Sequence, residues 1–102
     1  MSAASRGHAR ERQVRKVLEQ RGWWVSRAAG SLGDADIIAL KAGERPRLCE
    51  IKANKDGGPF KNFQPADRSE LLRASEKAGA DALLVYWPAH KPMRLIPSKD
   101  WP

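Results

Sequence analysis

The chain has 102 residues, 41% of them hydrophobic and four of them Trp, which is the length of one domain with one modest core. Nineteen Lys and Arg against twelve Asp and Glu leave +7, an excess that points to an anionic partner, most simply nucleic acid. Cys49 is the sole cysteine, which excludes an internal disulfide, and no cluster has zinc-ligand spacing. No apolar run approaches the roughly 18 residues of a membrane span, and residues 1–9 lack the apolar stretch of a signal peptide. The expectation is an intracellular protein of cytoplasm or nucleoid, or of a host's cytoplasm if viral, with no membrane partner.

Charge concentrates at the N-terminal end. Residues 1–27 hold seven basic side chains (Arg6, Arg10, Arg12, Arg15, Lys16, Arg21, Arg27) against Glu11 and Glu19. Residues 4–20 read as a helix with Val14, Val17 and Leu18 at helical spacing, stopped by Gly22. Residues 23–28 alternate as a strand, and Gly30 to Gly33 form a turn too short for a dinucleotide fingerprint. Residues 36–40 and 47–52 read as a β-hairpin joined through Gly43 and Pro46. Residues 54–62 read as a mobile basic loop. Pro65 opens a second helix to about Lys77, with Leu71, Leu72, Ser75 and Ala78 on its inner side, and Gly79 ends it. An apolar strand follows at 82–87 and an edge strand at 93–96. The order α-β-β-β-α-β-(β) defines an α/β fold in a single domain, residues 1–102.

Three acidic residues sit where a solvated surface would not put them. Glu11 shares the apolar stripe of the first helix with Val14 and Leu18, where a carboxylate is costly unless paired or bound to a cation. An (i, i+4) pair with Arg15 is the plainer account. Asp36 directly precedes Ile37-Ile38-Ala39-Leu40, with Asp34 as its rival in the loop. Period-two alternation puts Leu48, Glu50 and Lys52 on one strand face and Cys49 and Ile51 on the other. If Leu40 pairs with Leu48, Asp36 faces Lys52 and both carboxylates share that face; if the first helix packs there, Glu11 joins them.

That set suits metal-dependent phosphodiester hydrolysis. Carboxylate oxygens bind a hard cation such as magnesium, which also takes phosphate oxygens. The Ile51 carbonyl offers one more ligand. Lys52 would orient the attacking water or offset charge on the phosphoryl oxygens.

The pattern Asp36-x13-Glu50-x-Lys52, with Glu11 on the preceding helix, resembles the PD-(D/E)xK nuclease superfamily. Within it, Arg10-Glu11-Arg12, Val25 to Ser31, Asp36 to Ala39 and Cys49 to Lys52 are similar to the archaeal-type (Hjc-like) Holliday-junction resolvases. The resemblance implies a restriction-endonuclease-like core with a mixed central sheet flanked by helices. It implies a catalytic Glu11, Asp36, Glu50 and Lys52, with Ser31 close to the active site. It also implies a magnesium cofactor that manganese replaces, bound by Asp36, Glu50, Glu11 and Ile51.

The implied activity is symmetric cutting of four-way DNA junctions by a homodimer, leaving a 5′-phosphate and a 3′-hydroxyl. Arg6, Arg10, Arg12, Arg27, Lys55 and Lys61 would hold phosphates of branched double-stranded DNA without reading bases. Trp24, Phe60, Phe63 and Trp87 are the aromatics available to a dimer interface. Two other readings compete: a different nuclease of the superfamily (nickase, repair or restriction type), and a non-enzymatic basic nucleic-acid binder.

Overall fold

The computed structural model describes residues 3–28 and 35–102, the side chains of 3–8 excepted. Helix α1 (Ala3–Gln20) leads into strands β1 (Trp24–Arg27), β2 (Ile37–Leu40) and β3 (Arg47–Lys52). Helix α2 (Pro65–Ala78), β4 (Asp81–Tyr86), β5 (Arg94–Pro97) and a 3-10 turn at Ser98–Asp100 complete the order. The strands form one mixed sheet in the spatial order β1-β2-β3-β4-β5. Only β3 and β4 run parallel, and α2 is their crossover, as a parallel pair requires.

The two faces of the sheet are sorted by residue parity. Ile37, Ala39, Cys49, Leu83 and Val85 pack against Val14 and Leu18 of α1. Leu48, Leu84, Tyr86 and Ile96 pack against Leu71 of α2, with Phe63 closing that side. Glu50 and Lys52 continue the Leu48 parity, so they belong to the α2 face. α2 is well bounded: Pro65 sits in its first turn, Asp67 accepts a hydrogen bond from the Gln64 N–H at 2.9 Å, and Gly79 closes it at φ 64°.

Several expectations are corrected. The hairpin register pairs Ile38 with Leu48, not Leu40 with Leu48, a shift of two residues. One step beyond that ladder, Asp36 lies across from Glu50, not Lys52. A two-residue slip keeps every side chain on its face, so the shared face survives. α1 covers the opposite face, so Glu11 does not join Glu50 and Lys52 there. On α2, Leu72 and Ala78 are exposed; Leu71 and Ser75 are buried and Ala74 is half-buried. The 54–62 segment is held by the Asn54 side-chain amide, which donates to the carbonyls of Asp56 and Gly58, both at 2.9 Å. Among the described residues no helix is long and apolar enough to cross a membrane.

Candidate active site

Asp36 ends the stretch that enters β2, and its backbone is already within the sheet. Its N–H donates to the Cys49 carbonyl at 2.8 Å and its carbonyl accepts from Ala28 at 2.9 Å. Its side chain then reaches across to β3, where Oδ2 accepts the Ile51 N–H at 2.7 Å. With its backbone bonded to Ala28 and Cys49 and its carboxylate held by the Ile51 N–H, Asp36 has little freedom to turn away from Glu50. Ile51 therefore enters the site through its N–H, while its side chain packs on the α1 side.

Glu50 is the most perturbed acid here. Burial pushes its carboxyl up to about 7, and the Asp36 charge adds to the rise; Lys52 opposes it by charge and hydrogen bonding. The Lys52 ammonium lies 3.2 Å from Glu50 Oε1, with both side chains largely covered. Two acids of like charge on adjacent strands, one resisting ionisation, form a donor set that fits a hard divalent cation: an ion bound between them relieves the repulsion and takes carboxylate oxygens. Among the described residues no third carboxylate, imidazole or thiol joins them.

Glu11 occupies a separate position. Its side chain is 12% exposed, as the apolar stripe requires, and its Oε1 lies 3.1 Å from Arg27 Nε, not against Arg15. With Arg12, Arg15 and Arg27 it lines a cavity of about 150 Å³. Arg27 stands opposite Ile37 in the β1–β2 ladder, which brings this cavity beside the strand that Asp36 leads into.

The remaining expected residues are scattered. Arg10 stacks on Trp87 at 4.7 Å and donates to Gln13 at 2.8 Å. Lys55 is exposed and lines a second cavity with Tyr86, Lys91 and Arg94, three residues for which sequence reasoning offered no role. Lys61 is exposed. Ser31, Asp34 and the Arg6 side chain lie outside the described residues. Of the four aromatics, Phe63 is buried, Phe60 and Trp87 are partly buried against the core, and Trp24 is 61% exposed opposite an exposed Leu40. Cys49 is fully buried and its thiol is pushed up to about 12 by burial, which suits a core residue and not a nucleophile.

A mixed sheet that sets Asp36 at the entry to β2 beside Glu50 and Lys52 of β3 is the arrangement that the resemblance to PD-(D/E)xK nucleases leads one to expect. Residues 2–101 match the family described as archaeal Holliday junction resolvase (hjc), and the chain belongs to that family. Among solved structures it is similar to Hjc of Archaeoglobus fulgidus, a Holliday junction resolvase from an archaeal hyperthermophile. That match has a TM-score of 0.77 at 21% identity and covers 92% of this chain and 74% of the other. No curated protein matches.

Proposed function

We propose that residues 1–102 form one nuclease domain that resolves four-way DNA junctions by magnesium-dependent, symmetric phosphodiester hydrolysis. The observation that carries this reading is the Asp36–Glu50–Lys52 cluster, in a chain of the resolvase family. Asp36 and Glu50 would hold the cation, with the Ile51 carbonyl as a further oxygen donor. When bound, the cation supplies Lewis-acid polarisation of the scissile phosphate and lowers the pKa of a water. Lys52, held by Glu50, keeps a positive charge beside the phosphoryl oxygens and orients the attacking water. The Ile51 N–H fixes Asp36 so that little reorganisation accompanies binding. Arg6, Arg10, Arg12, Arg27, Lys55 and Lys61 hold the backbone, which makes recognition depend on junction shape. A two-fold homodimer delivers paired cuts, and the exposed Trp24–Leu40 pair offers its apolar contact.

The test is cleavage of a labelled four-way junction beside linear duplex and single-stranded DNA, with magnesium or EDTA. Wild type is expected to nick the junction first, in symmetric pairs, and only with magnesium. Asp36→Ala and Glu50→Ala are expected to lose at least a hundredfold in rate, and active variants would overturn the assignment. Equal cutting of all substrates would favour another nuclease of the superfamily, and binding without cutting would favour a plain nucleic-acid binder. Sedimentation should show a dimer that Trp24→Arg dissociates; a wild-type monomer on the junction would remove the symmetric mechanism.

A further inference from the structure

We propose that the cavity between the exit of β3 and the β4–β5 turn holds one unstacked nucleotide of the branched strand, its base on an apolar lining and its phosphate at Lys91 and Arg94. This rests on the nuclease reading for its substrate. The cavity measures about 440 Å³, a size common among small-ligand pockets. Its apolar lining is Tyr86, Pro88, Ala89 and Pro92, the first two buried. Lys55, Lys91 and Arg94 stand exposed at the same cavity with Asp56 as the one acid, which leaves a net charge of +2. None of these three cations makes an ion pair among the described residues. A phosphate by itself needs only the cations. Apolar surface directly beside them fits a base and its phosphate together.

Placement supports the occupant. Tyr86 and Lys52 are partners in the parallel β3–β4 ladder, whose strands lie about 4.8 Å apart. Tyr86 packs on the α2 side of the sheet, the side of Glu50 and Lys52. The Trp87 N–H donates to the Lys52 carbonyl at 2.9 Å, and the Tyr86 hydroxyl donates to the Asn54 carbonyl at 3.0 Å. These bonds tie the cavity to the strand end that carries Lys52. A DNA strand with its scissile phosphate at Asp36 and Glu50 would bring a neighbouring nucleotide over Tyr86.

The cavity is also preformed. Pro88 and Pro92 each fix a backbone angle of the β4–β5 turn, and the Lys91 N–H donates to the Pro88 carbonyl at 3.3 Å. His90 sits between them at φ 63°, the one non-glycine residue with positive φ among the described residues. Such a conformation persists only where its surroundings fix it. Little ordering of the turn therefore accompanies binding. Extruding a base is least costly where pairing or stacking is already interrupted, as at a branch point, and most costly within a linear duplex. The cavity thereby favours a branch over a duplex, a selectivity that phosphate contacts alone do not give.

Two measurements on the full chain in EDTA test this. Pyrrolocytosine, placed singly at each nucleotide flanking the branch point, reports unstacking by its fluorescence. Anisotropy over a salt series gives junction affinity. At one branch position the probe is expected to brighten severalfold when wild type binds, and within a duplex arm it is expected to stay dim. Ala89→Leu puts an aliphatic chain into the cavity; it is expected to abolish the brightening and to weaken junction binding about tenfold. Lys91→Gln is expected to flatten the log K against log salt slope by about 0.7–0.9. Both side chains are exposed, so both variants should fold, which circular dichroism checks. A probe that stays dim at every branch position would overturn the proposal. So would full brightening with Ala89→Leu, or an unchanged salt slope with Lys91→Gln. Failure of the nuclease reading looks different, since wild type with magnesium would then leave the junction uncut even where the probe brightens.

Discussion

Glu50→Gln is expected to be inert as a nuclease yet more stable than wild type in metal-free buffer at pH 8. The Glu50 carboxyl titrates near 4.5 when unfolded and near 7 when folded. The folded chain thus holds this proton more tightly, and its contribution to stability is fully present below pH 4.5. It is lost as pH rises through 7, because the buried carboxylate must then ionise beside Asp36. The shift corresponds to about 3 kcal/mol between those limits. Glutamine stays neutral, so the stability difference between variant and wild type should open between pH 5 and 8. The lost Lys52 ion pair reduces the gain without reversing its direction. Magnesium at pH 8 should raise the melting temperature of wild type and leave the variant unchanged. Thermal melts at pH 5, 6, 7 and 8, with EDTA or magnesium, measure all of this; a constant offset between the two proteins would mean that Glu50 ionises normally in the fold.

Phe63→Ala is expected to cost about 3–5 kcal/mol and to lower the melting temperature by on the order of 20 °C. Phe63 is 1% exposed, and its ring meets Trp101 edge to face at 4.9 Å between centroids. It joins the segment before α2 to Leu48, Leu84 and the closing turn, so its loss opens a cavity and releases Trp101 together. A domain of this size has about 5–15 kcal/mol in total. Near-UV circular dichroism reports the Trp101 environment directly and a calorimetric melt gives the loss. A variant that melted like wild type would show that this side of the sheet repacks without Phe63.

Much of the fold is legible in residue spacing. Val14 and Leu18 mark the buried stripe of α1, and Glu11 is covered on that stripe as its spacing demands. Glu50 and Lys52 share a strand face with Leu48 for the same reason. Two kinds of information were not legible. Period-two alternation is blind to a two-residue slip, so it allows Asp36 to face Lys52 as readily as Glu50, across from which it lies. Nor does an apolar stripe say which side of the sheet a helix covers; connection geometry decides that, and it separates Glu11 from Glu50. Arg15 had a visible signal, since it stands three residues after Arg12 and four after Glu11 on one helical face, but only packing shows its Nε to be buried.

The β2–β3 hairpin has a consequence for folding order. Asp36 and Glu50 lie at the two ends of a short chain segment, so bringing them together closes a small loop at modest entropic cost. The β3–β4 pairing must instead bring residue 47 to residue 81 through a whole helix, a slower search with more chain to immobilise. The acidic pair thus belongs to the part of the protein that contact topology favours early. A divalent ion that binds there would act on the nascent hairpin as well as on the finished sheet, and would speed refolding besides slowing unfolding.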